Sequence, residues 1–589
     1  MKINNKAAIT NPSKQMLFDS KFIIILITFF LINGCKTERD IYKTTFKTSY
    51  SELLDDFKSP PNDAKIRAYW WWLNSNVTKD CITKDLEAMK NNGYGGAMIF
   101  DAGSSAYDVA HKTEAGPAFL SKEWLELFEH AVSEADRLEL ELSINVQSGW
   151  NPGGPSVTPE LALKKITWSE MTINGPEAVN RELPLPPGEN ILEDVKIIAV
   201  KQSGDTVPQS DRIKNIKLKT LEQRLGSAGI YPLHLLREDF EGKGNPINKS
   251  DIIDITEYFD GENLKWNAPD GTWSVLRFVM INTGKGVSTA SDGWEGLAMD
   301  HLNKEALLKY NQDVISKLIQ TAGKAGNSLK FIHTDSWEMG VANWTDHFMQ
   351  TFEKRNGYDM TPFLPVLTDR IVINREVSSR FLHDFRRTVA DLVAEEFYQT
   401  FRDIAHSNKL GTHPESGGPH AAPIDAVQTM KFNDVPMGEF WIRSQTFFTK
   451  EDQRLSVKQS ASVAHIYGKR FVAAEGPTSI GPHWERPPKD CKNDIDRIFC
   501  SGVNRIVWHT YTASPDEYGE PGNEYFAGTH LNRHATWWKE SKSFVEYMNR
   551  VSSVLSKGLF RADALYYYGD DAPNFIFLKE DLSVFGYLP

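Results

Sequence analysis

Eight strand-sized apolar runs, amphipathic stretches between them, and acids at the ends of several runs predict an α/β chain. The architecture they fit is a (β/α)8 TIM-like barrel with an inserted β-sandwich domain and the start of a C-terminal β domain. Runs such as Lys330–His333 carry apolar residues on both faces, as a strand buried in a parallel sheet does. Three segments carry an acid at or just past the run: Ser328–Glu338 (SLKFIHTDSWE), Val435–Trp441 (VPMGEFW) and Lys469–Pro477 (KRFVAAEGP). In a parallel barrel the C-terminal strand ends open on one face, and that face carries the chemistry.

The N-terminus reads as a targeting segment. Lys21 precedes Phe22–Ile32 (FIIILITFFLI), the length of a signal-peptide apolar core and too short to span a bilayer. Leu31-Ile32-Asn33-Gly34-Cys35 resembles a bacterial lipobox, in which the Cys is diacylated and becomes the mature N-terminus. Residues 1–35 are therefore expected to be a lipoprotein signal peptide, favoured over a plain secretory peptide because Cys35 follows the apolar run directly. The long lead before it points to translation starting at Met16. The chain is expected to be exported and lipid-anchored on Cys35, in the periplasm or on the outer-membrane surface of a Gram-negative bacterium. Polar residues 36–61 read as a tether.

The barrel's first part is expected over 62–165. Arg67–Asn74 (RAYWWWLN) is a strand-like aromatic run, and Thr78–Asn91 follows with Ile82, Leu86 and Met89 at helical spacing and Thr78 as N-cap. Gly95–Gly103 is a second strand, Ser121–Leu138 an amphipathic helix and Glu141–Gly149 a third strand, the rhythm of a parallel sheet. Residues 166–283 break it with short alternating runs separated by Pro, Gly and Asn, hence the inserted sandwich. The second part, 284–550, opens with a helix over Asn303–Gly323. Strands then end near Glu338, in Leu410–Ser416, at Glu439, at Glu475 and in Asn504–Thr512, with helices around Ser379–Asn408 and Arg454–Tyr467. Arg561–Tyr568 starts a further strand-like segment, so 551–589 reads as an incomplete C-terminal β domain and the chain as truncated.

Composition narrows the function. With 589 residues, two or three domains are expected, and 40% hydrophobic and 24% charged residues are ordinary for a globular chain. A net charge of −12 argues against a nucleic-acid partner. The 16 Trp, 19 Tyr and 32 Phe suit a sugar cleft, and a large core equally. Beyond Cys35, Cys81, Cys491 and Cys500 form no CxxC; a Cys491–Cys500 disulfide and a pair of plain thiols both fit.

The acids are the candidate chemistry. Asp335 and Glu338 lie three residues apart at a strand's end, where Glu338 could give or take a proton and Asp335 bind a hydroxyl or orient Glu338. Glu475 sits among small residues after Phe471-Val472-Ala473-Ala474, and an apolar pocket raises a carboxyl's pKa, which suits a general acid. Glu439 suggests a metal ligand or a contact to sugar hydroxyls. Asp101, Asn145, His413, Glu415 and His509 also fall at expected strand ends and, with Trp441, are candidates for binding substrate hydroxyls. An oxygen-rich pocket without Cys/His spacing suits Ca²⁺ rather than Zn²⁺. HExxH and Walker A motifs are absent. Gly149–Pro155 (GWNPGGP) after a strand could cradle a phosphate or shape the pocket rim.

Several of these segments together resemble glycoside hydrolase family 106, the bacterial α-L-rhamnosidases. They are Arg67–Asn76 with Lys84-Asp85-Leu86, Gly95–Asp101, the Gly149–Pro159 loop, Gly296-Leu297-Ala298-Met299-Asp300, Asp335–Glu338, Gly438–Trp441, Ala474-Glu475-Gly476 and Ala564–Gly569. The resemblance runs from about residue 60 to the C-terminus. It implies a catalytic barrel with β-sandwich domains around it, and inverting hydrolysis of terminal α-L-rhamnosides on an oligosaccharide or polysaccharide, assisted by Ca²⁺ on sugar hydroxyls. It also implies that Glu338 and Glu475 are the catalytic pair, Glu338 leaning to acid and Glu475 to base, and that Glu439 is the metal-associated acid. Family members are usually longer, with C-terminal β domains after this point. Two other readings stay open: a glycosidase of different sugar specificity on the same scaffold, and a non-catalytic glycan-binding lipoprotein.

Overall fold

The computed structural model describes residues 48–104, 113–186, 190–202, 212–223, 246–416, 423–443, 452–481, 483–567, 569 and 572. The expected signal peptide, the lipobox and the first part of the tether lie outside them. Within the stretch read as a tether, Tyr50–Lys58 is a helix, α1, started by a capping box between Ser49 and Glu52. Its Asp56 is held by Ser553 and Lys557. No helix among the described residues is long and apolar enough to cross a membrane.

All eight expected strands form: β1 (Arg67–Leu73), β2 (Gly96–Ala102), β3 (Glu141–Ser148), and, after the insertion, β8 (Leu329–His333), β9 (Gly411–Thr412), β10 (Met437–Trp441), β11 (Ala473–Thr478) and β12 (Arg505–Thr512). They make one curled sheet in the order β9-β8-β3-β2-β1-β12-β11-β10, every pair parallel. Read around the curl, this is chain order, as expected of eight β/α units. Among the described residues the two ends, β9 and β10, share no ladder; a backbone bond from Val435 N–H, just before β10, to Thr412 O (3.0 Å) bridges them.

Strand alternation sorts the side chains into two layers. Even positions of β1 face the helices α2 (Lys79–Asn91) and α3 (Lys122–Arg137). Trp70 Nε1 donates to Asp85 of α2 (3.0 Å), and Trp72 packs on Trp124 of α3. Odd positions, Arg67, Tyr69 and Trp71, face the inside of the curl, where Tyr69 meets Phe100 and His509. At the N-terminal floor Glu141 of β3 takes Arg67 (2.9 Å) and Arg505 (3.4 Å). Burial alone would raise this carboxyl, but the two guanidiniums outweigh it and hold Glu141 below its ordinary pKa.

Buried Asp85 ties β1 and α2 to the segment after β12: it accepts from Trp70, Tyr511 Oη (3.3 Å) and Arg533 Nε (2.8 Å). Asp85→Ala leaves these donors unpaired and is expected to remove ~3 kcal/mol or more of unfolding free energy in urea titration. A loss below ~1 kcal/mol would show that the network is not needed for stability.

The insertion differs from the sandwich expected. Its described residues form a single antiparallel sheet from β4 (Lys164–Glu182), β5 (Ile191–Lys201), β6 (Ile252–Asp254) and β7 (Asn263–Asn282), in the order β4-β7-β5-β6. Beyond the bulge at Gly175/Glu177, β4 and β7 continue as a ribbon. The ribbon's Val179, Leu264 and Trp266 share an apolar cluster with Ile197 and Ala199 of β5, so the sheet covers one of its faces with its own end. Ile198, Leu276 and Phe278 on the other face join the main core. Alternating runs look the same in a sandwich and in a curled single sheet, so the pattern could not separate them. Arg561–Tyr567 forms no strand: it has no ladder partner among the described residues, and Leu565 and Tyr567 are exposed. Cys491 and Cys500 are free thiols. They lie nine residues apart on one helix, Pro488–Cys500, hence ~13 Å apart along its axis and too far for a disulfide.

Candidate active site

The inward parity that begins at the floor continues past the strand ends and selects the site. Inside β8, Phe331 and His333 are followed by Asp335, inside β9's exit come His413 and Glu415, and β10, β11 and β12 add Glu439, Glu475 and His509. Three of these acids converge: Asp335, Glu415 and Glu475 each bring an oxygen within 4.8 Å of the others.

Asp335 is held from below. The buried Tyr69 hydroxyl donates to its Oδ1 (2.7 Å), and His333 Nε2 lies 3.4 Å from the same atom. His333 Nδ1 donates in turn to the His413 carbonyl (2.8 Å), which fixes the ring. Burial first, and then the charges of Asp335, Glu475 and Glu415, raise the Tyr69 pKa, so its O–H stays a donor. Glu475 Oε1 accepts from Thr478 Oγ1 (3.1 Å) and lies 3.3 Å from His509 Nδ1. Thr478 Oγ1 and His509 Nδ1 are 2.9 Å apart. Since the Thr478 proton goes to Glu475, the ring nitrogen beside it is the protonated one. Burial pushes His509 down to about 3, so the ring is neutral and its Nε2, buried without a partner among the described residues, is an acceptor.

Glu415 is the outlier. It is 1% exposed and neither oxygen has a hydrogen-bond partner among the described residues. Burial, then Glu475, Asp335, Glu439 and Glu338, raise its pKa well above the ordinary value. Glu475 is raised by burial and then by Glu439 and Asp335, against the Thr478 hydrogen bond. At 4.8 Å two carboxylates repel by roughly 3.5 kcal/mol at an effective dielectric of ~20, so three cannot all stay charged without a proton or a cation. A cluster of oxygen donors only, with two orphaned oxygens, fits a hard ion such as Ca²⁺.

The other expected residues divide. Glu338 lies partly exposed on the loop after β8, and its charge is felt at both Glu415 and Glu475. Glu439, expected as the metal-associated acid, stands beside the three converging acids rather than among them. Trp441 Nε1 donates to its Oε1 (2.5 Å), so Trp441 orients an acid. Asp101 does not reach the pocket. It follows inward-facing Phe100 and so points outward, fully buried, to Ser75 (2.5 Å), Ser291 (2.7 Å) and Trp124 Nε1 (3.2 Å). His413 lies one layer below Glu415, its ring against Phe331 and His333 and its Nδ1 3.4 Å from Met437 Sδ; it is a supporting residue. Asn145, whose amide donates to the Gln147 and Gly149 carbonyls, is likewise buried support. Gly149–Pro155 is no phosphate cradle: the Gly149 and Trp150 N–H groups donate to Asp101 O (2.8 Å) and Ser288 O (3.1 Å). Sequence reasoning missed Tyr69, His333 and Thr478. Counting parity from one inward residue of each strand would have found the first two.

A family model described as alpha-L-rhamnosidase, glycoside hydrolase family 106, matches residues 58–214 and 189–583. A Formosa agariphila protein provisionally named beta-glucuronidase is 35% identical over 542 residues, which are 91% of this chain and 44% of that protein. The solved structure of a rhamnosidase from Novosphingobium sp. PP1Y has a TM-score of 0.77 and 28% identity, covering 89% of this chain and 62% of that one. The chain thus spans less than two thirds of the length of either relative.

Proposed function

The chain belongs to glycoside hydrolase family 106, the α-L-rhamnosidases, and from that premise we propose that it releases terminal α-L-rhamnose from a plant-type or complex glycan, with inversion, by a two-carboxylate mechanism. The observation that carries this reading is the group of five acids on the C-terminal side of one parallel sheet, three of them within 4.8 Å. The scaffold is read as a (β/α)8 barrel whose seam lies between β9 and β10.

Glu338, partly exposed at the edge of the cluster, protonates the glycosidic oxygen as the C–O bond breaks. Glu475, with one oxygen fixed by Thr478 and His509, takes a proton from the water that attacks the opposite face of the oxocarbenium-like centre. Inversion requires room for that water, with the two carboxyls ~6.5–9.5 Å apart. His509 Nε2 accepts from a sugar hydroxyl. Asp335, Glu415 and Glu475 would hold Ca²⁺, with Glu439 alongside. When bound, the ion neutralises the cluster and binds adjacent sugar hydroxyls, favouring rings with a matching diol. Export and a lipid anchor on Cys35 belong to the same reading and rest on the apolar run before that residue.

The name of the Formosa relative favours a second reading, a uronosidase. Against it, Asp335 and Glu475 are held among the described residues by Tyr69, His333, Thr478 and His509, none a lysine or arginine. A glucuronate carboxylate would enter a pocket already rich in negative charge. The test is to assay the chain lacking residues 1–35 on aryl α-L-rhamnoside and aryl β-D-glucuronide side by side. Rhamnose release alone supports the proposal; glucuronate release alone overturns the sugar assignment.

Tyr69→Phe should fold normally and lower kcat/KM by ~10- to 100-fold, the loss of one hydrogen bond to a charged acceptor. An unchanged kcat/KM would mean that Asp335 keeps its position without Tyr69.

A further inference from the structure

Residues 334–338 follow β8 without regular structure, yet they carry both Asp335 and Glu338. Something other than a ladder must hold them. Two buried amides from β3 and the loop after it do so. Gln147 Nε2 donates to Thr334 Oγ1 (3.1 Å) and to Trp150 O (2.7 Å). Asn151 Nδ2 donates to the Ser336 carbonyl (3.2 Å), two residues before Glu338. Asn151 is 2% exposed, and its own oxygen has no partner among the described residues.

The loop that presents Asn151 is itself fixed from end to end. Its carbonyls at Gly149, Pro152, Gly153 and Gly154 accept from Asn145 Nδ2, Met299 N–H, Trp294 Nε1 and Val157 N–H. Gly149 has φ +81°, and a Cβ there would lie 2.1 Å from Ser288 O, so the chain comes this close only with glycine. On the far side of Ser336 the Trp337 ring is buried against His301, which packs on Phe397. Ser336, Trp337 and Met339 are all buried, while Glu338 keeps some exposure.

We infer that Asn151 is a positioning residue for Glu338: its amide pins the Ser336 carbonyl, and with Trp337 wedged behind, the Glu338 carboxyl is aimed at the scissile oxygen. The inference rests on the reading of Glu338 as the general acid. A proton donor works only within hydrogen-bond reach of its target, and a displacement of ~1 Å can cost on the order of 10²-fold in rate. A misplaced acid matters most when the leaving group is poor, because a good leaving group departs without protonation.

The experiment compares Asn151→Ala with wild type, both lacking residues 1–35, on methyl α-L-rhamnoside and on 2,4-dinitrophenyl α-L-rhamnoside. Asn151→Leu, close to the same shape without the donor, serves if the alanine variant does not fold. The expected result is a kcat loss of ~10- to 100-fold on the methyl glycoside and less than ~3-fold on the dinitrophenyl one, with KM little changed on both. Equal losses on the two substrates, or none, would overturn the inference while leaving the rhamnosidase reading intact. Wild-type protein that releases no rhamnose from either would remove the premise, and the inference with it.

Discussion

Glu475→Gln is expected to lower kcat by ~10³-fold or more, about 4 kcal/mol of barrier, and Glu338→Gln by a comparable factor on substrates with poor leaving groups. The two losses should differ in kind. Without Glu338 nothing protonates the departing oxygen, so a dinitrophenyl leaving group should restore most of the rate. Without Glu475 the water has no base, and a better leaving group should not help. Azide, which attacks without giving up a proton, should restore turnover in Glu475→Gln and yield the rhamnosyl azide of inverted configuration. Rates on the methyl and the dinitrophenyl rhamnosides, with the azide product identified by NMR, decide the assignment. Full activity in either variant would remove that residue from the mechanism, and azide rescue of Glu338→Gln in place of Glu475→Gln would exchange the roles. Glu475 should be the costlier residue to replace, because Thr478, His509 and Glu415 are arranged around it.

Calcium removal is expected to have the second largest effect. If the cation balances Asp335, Glu415 and Glu475, EGTA should abolish most of the activity and added Ca²⁺ should restore it. The ion should also raise the melting temperature, since binding at about 100 times Kd is worth ~2.7 kcal/mol. Glu415→Gln removes one charge and leaves the shape, so it should need more Ca²⁺ for half-maximal rate and lose most of the thermal shift. The contrast with Glu439→Gln is informative. Glu439 lies outside the closest three acids and is tied to Trp441, so its loss should weaken Ca²⁺ less than the loss of Glu415. Activity and melting temperature that ignore both EGTA and Ca²⁺ would mean that the cluster is neutralised by a proton. The Glu415 carboxyl, raised by burial and by the charges of Glu475 and Asp335, is the group that would carry it, leaving Glu475 to act as base.

The sequence by itself determined the eight strands, the helices between them and the acids at their ends. Those signals are local: apolar runs of strand length, N-caps such as Thr78 and Ser121, and the change of polarity where a strand leaves the core. The same local view misplaced Asp101 and His413. Each stands near a strand end, but one residue of register decides whether a side chain enters the barrel or the helix layer. Asp101 was lost to that parity, and His413 to depth, one layer too low. Which acids meet is another matter. Asp335, Glu415 and Glu475 are 80 and 60 residues apart in the chain, and only the curl of the parallel sheet brings their oxygens within 4.8 Å. Likewise the bond from Tyr69 to Asp335, the amide of Asn151 on Ser336 and the folding of the inserted sheet over its own face are contacts between distant segments. Tertiary packing decided them, because no local pattern records which strand a side chain will meet across the barrel.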